Sequence, residues 1–429
     1  MFPVKTYVSR RAELRAKTGG GLILLPGNQP SANNYPNNAY YFRQDSTFLY
    51  YFGLDRPSLA GVIDADTGEE VLFGDDFTVD DIIWTGPQPT LREEGARAGV
   101  ADCRPLAALA DYLAAAIRLG RRIHYLPPYR GETKLQLSAL LGIAPALLHD
   151  YKSVDLMFAV AEMREVKSAE EVAQMEDAFH IGYAMHTTAM RMCRAGVVER
   201  EIAGAIEGVA KSMGLGVSFP SIVSQHGETL HNLNSEGVLA DGRLLLVDAG
   251  GENRMNYCSD HTRTYPVSGR FTAQQREIYD IVLESLETAL KLYRPGTSIC
   301  QVNQEVVRIM ITGLVRLGIL KGEIDELIAN NAHRPYFMHG LSHWLGLDVH
   351  DVGNYDTDRS RVLEPGMVLT VEPGLYIATD ADVPAQYRGI GIRIEDDIVI
   401  TEDGNENLTA GVVKKADEIE ALMAAARQS

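Results

Sequence analysis

Seven of the eleven histidines in this 429-residue chain fall between positions 226 and 350, and acids end apolar runs in the same part of the chain. Leu244-Leu245-Leu246-Val247 leads into Asp248-Ala249-Gly250-Gly251. A carboxylate at the rim of a core must be paired, hydrogen-bonded or metal-bound, because an isolated buried charge is very costly. Twelve residues on, Asp260 sits in Ser259-Asp260-His261-Thr262-Arg263-Thr264. If Asp248 and Asp260 occupy the arms of one hairpin, two like charges are held together and require a counter-cation. A second apolar run, Met367 to Val371, ends in Glu372-Pro373-Gly374. Ile390, Ile392 and Ile394 then alternate with Gly391, Arg393 and Glu395. A strand there buries the isoleucines and sets Arg393 and Glu395 together on its other face. Between the first pair of acids and the second lies Met338-His339-Gly340-Leu341-Ser342-His343-Trp344, followed by His350.

Four carboxylates and one imidazole form a mostly oxygen donor set suited to hard divalent cations. Two such ions balance the four negative charges, whereas one leaves half of that charge unmet. His339 and His343 are four apart, but Gly340 stands where a zinc-binding HExxH helix has its Glu. No Ser-His-Asp or Cys-His arrangement competes. Each group alone has an ordinary explanation: a strand-end Asp is commonly a cap, a His beside Gly and Leu a structural residue, an Arg and Glu two apart a surface pair. Together, two acid-bearing strand pairs with a histidine segment between them favour metal ions.

A duplicated framework must place these residues. Ser168 and Glu171 form a capping-box pattern, and Val172, Met175, Phe179 and Met185 keep helical spacing after it. Helices near 168–194 and 199–213 are followed by strands near 244–248 and 256–264. Thr272 and Gln275 open a second series: a helix to Arg294, stopped by Pro295 and Gly296, another over about 299–317, then strands near 367–372 and 390–400. The repeat of roughly 105–120 residues predicts two related halves around a shared sheet. Before residue 165 the chain reads as a smaller α/β domain. Apolar runs cover Gly21–Leu25 and Thr47–Phe52, and Asp66-Thr67-Gly68 joins Leu59–Ile63 to Glu70–Phe73 as a hairpin. A helix over about 105–118 and a strand at Arg122–Leu126 follow, while the Asn- and Pro-rich residues 27–46 read as a long loop. Gly19-Gly20-Gly21 lacks the Lys-Ser/Thr of a phosphate loop, and this part offers no catalytic group of its own. The predicted domains are 1–165 and 166–429.

Composition narrows the partners. The chain has 58 acidic against 40 basic side chains, a formal charge of −18, which repels phosphate backbones and argues against nucleic acid. No run approaches the ~20 apolar residues of a membrane span. The start, MFPVKTYVSRRAEL, has no apolar signal core. Cys103, Cys193, Cys258 and Cys300 form no CxxC pair, so they read as reduced thiols of a cytoplasmic protein.

LVDAGG at 246–251, DHTRTYPVSG at 260–269, MHGLSHWLGLDVHD at 338–351, VLTVEPGLY at 368–376 and GIGIRIEDD at 389–397 resemble, in order, the five motif blocks of the aminopeptidase P family. These are the Xaa-Pro aminopeptidases among the pita-bread metallopeptidases. YYFRQDSTFLYYFGLDRP at 40–57 extends the likeness weakly into the first domain. The resemblance implies an α/β fold, a small N-terminal domain followed by a duplicated pita-bread catalytic domain. It implies that Asp248 binds one metal, that Asp260 and Glu395 bridge two, and that His343 and Glu372 complete the other, most commonly as manganese. It places His231, His339 and His350 on the substrate, His339 near the proline ring and His350 near the carbonyl. Tyr376, Arg359 and Arg393 match positions that support the metal ligands or face the substrate. Asn232-Leu233-Asn234 after His231 depart from the pattern, and His226 has no assigned role.

The activity so implied is release of the first residue from peptides with proline second, by a hydroxide shared between the two metals, with Glu372 as general acid/base. The N-terminal domain would shape the cleft and make homo-oligomer contacts, dimeric or tetrameric, with Trp84 reaching a neighbouring site. Three rivals are a prolidase cleaving Xaa-Pro dipeptides, a metal-free creatinase-like hydrolase, and a non-catalytic pita-bread binding protein. The complete ligand set disfavours the last two, and Ser342 and Trp344 beside His343 look more like aminopeptidase P than prolidase.

Overall fold

The computed structural model describes residues 1–428, and the chain divides into one unit, Met1–Met163, and a second beginning at Arg164. In the first, strands pair in the order Asp102–Arg104, Glu70–Phe73, Ala60–Asp64, Leu22–Pro26, Ile123–His124. The expected hairpin is present, with Ala60 opposite Phe73 and Ile63 opposite Glu70. The apolar run Thr47–Phe52 folds as a helix, Ser46–Phe52. Asp45 Oδ1 accepts the Phe48 N–H at 2.9 Å, and Gly53 ends the helix at φ 67°. Every residue of this helix is buried, so no polar face marks its period. The long loop over 27–46 contains a short exposed hairpin, Ala32–Tyr35 with Asn38–Ala39. The helix Val79–Thr85 has all seven residues exposed, Trp84 at 87%.

In the second unit two capping boxes start the two long helices. The Glu171 N–H donates to Ser168 Oγ at 3.3 Å and the Ser168 N–H to Glu171 Oε2 at 3.0 Å, opening Ala169–Met192. Thr272 and Gln275 repeat the exchange at 3.2 and 3.0 Å, opening Ala273–Leu292. Each is followed by a second helix, Glu199–Met213 and Ile299–Arg316, and by a three-stranded antiparallel sheet. The first sheet runs Thr262–Pro266, Leu244–Asp248, Ile222–Ser224; the second runs Val368–Val371, Asp396–Ile400, Asn405–Asn407. Side chains from both halves, Val247, Tyr265, Ile281, Val306, Leu369 and Ile394 among them, share one apolar core. No helix among the described residues is long and apolar enough to cross a membrane.

Two strands differ from the sequence reading, both at the junction of the halves. The strand expected from 256 begins only at Thr262. Before it Asn256 turns at φ 65°, the Cys258 N–H goes to Gly346 O, and the Asp260 N–H goes to the Asp397 side chain at 3.1 Å. Separate acceptors satisfy this backbone, so it leaves the ladder. The run 390–400 is two strands, Gly391–Arg393 paired with Gly374–Tyr376 and Asp396–Ile400 paired with Val368–Val371. Between them the Glu395 N–H donates to Thr262 O at 3.0 Å, which joins the second half to the first.

Gly250 lies where the two arms of the first acid pair come closest. A Cβ there would sit 1.7 Å from the carbonyl oxygen of Ser259, a backbone atom with no room to yield. Gly250→Ala is expected to destabilise the fold by about 1–3 kcal/mol, the cost of overpacking a tight site. A thermal melt unchanged from the parent would show that the arms separate freely.

Candidate metal centre and peptide cleft

Asp248 ends the central strand of the first sheet with Thr262 opposite it, and Asp260 stands two residues before Thr262. Across the junction Thr262 Oγ1 donates to Glu395 Oε2 at 2.7 Å. Glu372 follows the strand Val368–Val371, and its N–H donates to Leu341 O at 2.8 Å. The histidine segment runs beside that strand: the Thr370 N–H donates to His343 O, and Trp344 bridges Leu369. Strand ends from both halves thus deliver acids to one place, and the segment between them adds an imidazole.

His343 Nδ1 lies 3.0 Å from the Trp344 carbonyl, which assigns the proton to Nδ1 and leaves the Nε2 lone pair facing the acids. That Nε2 is 3.4 Å from Asp260 Oδ2 and 3.7 Å from Glu372 Oε1. One ligand atom each from Asp260, His343 and Glu395 lie within 4.8 Å of one another. Asp248 Oδ1 is buried with no hydrogen-bond partner among the described residues. Burial, then repulsion from Asp248, Asp397 and Glu372, raises the Asp260 carboxyl well above its ordinary value. Glu395 is raised by burial and then by Asp260, and Glu372 chiefly by burial. Carboxylates crowded in this way take up protons unless cations replace them. Hard oxygens, an orphaned buried oxygen and one free imidazole lone pair fit divalent metal ions.

Arg393 is a fixed cation behind this cluster. It donates to Asp248 Oδ2 at 2.5 Å, to Thr262 Oγ1 at 3.0 Å and to Tyr376 Oη at 2.9 Å. Burial opposes its charge, but Tyr376, Asp248 and Glu395 outweigh that penalty and hold it protonated. Tyr376 passes the chain on: its Oη lies 2.8 Å from His339 Nε2, while His339 Nδ1 lies 2.8 Å from Gly340 O. Burial, then Arg393, lowers His339 to about 4, so the ring is neutral at pH 7. The tautomer follows: Nδ1–H donates to Gly340, and Nε2 accepts the Tyr376 hydroxyl proton. Both nitrogens of His339 are therefore used inside the protein.

The sequence-assigned residues other than Tyr376 line one cavity of about 700 Å³. His231 enters it from the turn after Thr229, and the His350 ring lies tilted against His343 with ring centroids 4.2 Å apart. Arg359 reaches it from a backbone at φ 58°, its guanidinium donating to Ser342 O and lying 5.0 Å from the Tyr355 ring. Tyr376 sits behind the wall, buried between His339 and Arg393. His226 lies outside the lining and pairs with Glu228 at 3.1 Å. Sequence reading did not single out Phe219, Pro220, Ile222, Val349 and Tyr355, which supply the apolar lining, because they come from turns and strand ends without a shared period. It also passed over Asp397, which holds the Asp260 N–H. The period-two alternation through Arg393 and Glu395 reaches Asp397 next, so that signal was present.

Asp260→Ala is expected to lower divalent-metal affinity by at least ~10–100-fold, the scale found for losing even an outer partner of a metal site. His350→Ala, which removes a cleft residue outside the acid cluster, is expected to keep the parent metal content. Elemental analysis of both dialysed variants checks this; full metal in Asp260→Ala, or loss in His350→Ala, would exchange their roles.

Known proteins resemble this chain over nearly its whole length. Residues 173–402 match the model of metallopeptidase family M24, and residues 7–124 match the aminopeptidase P N-terminal domain. The chain is 48% identical to a Xaa-Pro aminopeptidase of Escherichia coli (strain K12), covering 98% of each protein. A Xaa-Pro aminopeptidase of Haemophilus influenzae is 38% identical, again over 98% of each. Among solved structures, a Glu-to-Ala variant of Escherichia coli aminopeptidase P in complex with substrate has a TM-score of 0.91 at 46% identity, with both chains fully covered. A zinc-substituted form of the same enzyme in complex with product matches equally. The chain belongs to metallopeptidase family M24 and carries the N-terminal domain of aminopeptidase P.

Proposed function

We propose that the chain is a metal-dependent Xaa-Pro aminopeptidase, releasing the first residue of peptides whose second residue is proline. The observation that carries this reading is a single cavity lined by the acid and imidazole cluster and, directly beside it, by the ring of His339, whose Nδ1 lies 3.6 Å from Glu372 Oε2 and whose nitrogens are already engaged. Asp248 would hold one ion alone, Asp260 and Glu395 would be shared, and His343 with Glu372 would complete a second ion, both manganese. Divalent ions there supply Lewis acidity and lower the pKa of a water from ~15.7 towards ~7.

The chain's own groups do the rest. Glu372 would take a proton from the attacking water at its carboxylate and return it to the leaving proline nitrogen. His231 and His350 donate to substrate oxygens, and donors aimed at developing charge contribute ~2.7–4 kcal/mol. Arg393 holds the Asp248 carboxylate in place, and Arg359 offers a cation at the cleft. The free α-amine of a peptide would bind at one metal position or a nearby acid, which restricts cleavage to the first residue. Proline has a fixed φ near −65° and no N–H, so it loses little freedom on binding and leaves no donor unpaired against an apolar wall. The ring carbons of His339 with Phe219 and Ile222 supply such a wall.

The exposed helix Val79–Thr85 with Trp84 supports a contact role for the N-terminal domain in a homo-oligomer. The reduced cysteines support a cytoplasmic location.

The expected outcome with added manganese is efficient release of the first residue from Xaa-Pro-Yaa and poor release from Xaa-Ala-Yaa. His339→Ala should narrow that ratio by about tenfold or more while bound metal stays constant, a change within the range a hydrophobic pocket contributes. Equal kcat/KM for the two peptides would leave a general aminopeptidase as the better account, and activity confined to Xaa-Pro dipeptides would make the chain a prolidase.

A further inference from the structure

The loop Asp348–Arg361 brings His350 and Arg359 to the cleft, yet its one regular element is a single turn at Thr357–Arg359. Asp356, Asp358 and Arg359 stand at φ 53°, 56° and 58°, a half of backbone space that non-glycine residues seldom occupy. A loop of this kind keeps its shape only if something outside it holds it there.

Part of that hold comes from the segment around Trp344, through the Asp351 N–H to Trp344 O, the Trp344 N–H to Tyr355 Oη at 3.0 Å and Arg359 to Ser342 O. The loop's buried ionic partners come from one tetrapeptide, Arg164-Glu165-Val166-Lys167, with charges alternating in sign. Arg164 pairs with Asp351 Oδ1 and, at 2.9 Å, with Asp348. Lys167 Nζ takes the other oxygen of Asp351 at 3.2 Å. The side chains of Arg164, Lys167 and Asp351 are 2%, 1% and 2% exposed, so this is a buried cluster rather than a surface pair. Glu165 Oε2 accepts the Asn354 N–H at 2.8 Å, and Glu165 Oε1 accepts from Arg361 at 2.7 Å. The tetrapeptide is itself tied down: the Lys167 N–H donates to Gly366 O at 2.8 Å, and Val166 bridges Met367. Met367 leads directly into the strand that ends at Glu372. The loop carrying His350 and Arg359 is thus referenced to the strand carrying Glu372.

Buried ion pairs add little net stability, because desolvation offsets their attraction, but they fix geometry when every charge is met. We propose that Arg164, Glu165 and Lys167 are positioning residues for the peptide cleft, a clasp that sets His350 and Arg359 at a fixed distance from Glu372. The proposal rests on reading this cleft as the Xaa-Pro site, and its test separates the two.

In the metal-loaded full chain, Lys167→Met and Glu165→Gln should each lower kcat/KM on Xaa-Pro-Yaa by ~10–100-fold with bound metal unchanged, the scale for losing an outer support of a site. Lys167→Arg should recover most of the loss. Adding Lys167→Met to His350→Ala should cost clearly less than the product of the two separate losses, because part of the clasp's effect passes through His350. Fully additive losses, or parent-like activity in both single variants, would overturn the proposal. A second readout needs no substrate: the amide hydrogens of Val352 and Asn354, which donate to Asp351 and Glu165, should exchange faster in Lys167→Met and Glu165→Gln respectively. Unchanged exchange would sink the clasp even if the parent hydrolysed no Xaa-Pro peptide, an outcome that by itself would fault only the functional reading.

Discussion

The crowding of carboxylates at one junction is the constraint on which the rest of this structure depends. Asp248, Asp260, Glu372 and Glu395 converge with Asp397 directly behind Asp260. Arg393 offsets one of these charges and is committed by its hydrogen bonds to Asp248, Thr262 and Tyr376. The remaining repulsion can be relieved by protons or by metal ions: burial first, and then the neighbouring carboxylates, raise Asp260, Glu395 and Asp397. A fold that assembles such a cluster must hold it against its own repulsion. The duplicated halves do so by meeting at Thr262 and Glu395, where backbone pairing and the Thr262 hydroxyl join the two sheets.

Neutral groups complete that restraint. His186 is fully buried, and burial followed by the Arg263 charge lowers it to about 4. Its Nε2–H lies 3.1 Å from the carbonyls of both Ala249 and His261. These residues directly follow Asp248 and Asp260, so one imidazole ties together the two arms that repulsion would part. On the cleft side, the relay from Arg393 through Tyr376 to His339 uses every polar atom of the His339 ring. The same hydrogen bonds that steady Asp248 thereby leave only the ring carbons of His339 without a polar partner at the cavity it lines. Charge placement and the polarity of the cavity wall are two ends of one network.

The loop Asp348–Arg361 shows a third use of charge. Cations and an anion in alternation, within four residues, hold a strained segment whose own backbone makes little regular structure. Charges at the metal cluster are few in partner and await ions, whereas charges at the clasp are matched within the chain. That contrast separates a site that binds from a site that positions.

How much of this was legible follows from the range of each interaction. Capping boxes at Ser168 and Thr272 are local, made within four residues, and the sequence alone placed both helices. Period-two alternation placed Arg393 and Glu395 on one face, and ordered motif blocks named the acids and histidines of the cleft. The helix Ser46–Phe52 was hidden because burial on all sides removes the pattern that distinguishes helix from strand. The start of the strand at Thr262 and the break at Glu395 were decided by partners more than 100 residues apart, since the Asp260 and Glu395 amides are claimed by Asp397 and Thr262. The same holds for Arg164, Glu165 and Lys167, whose local sequence is an ordinary charged helix end and whose partners stand 184 to 196 residues away. Local rules fix which residues can do chemistry; only the packed halves bring long-range partners close enough to decide where each one stands.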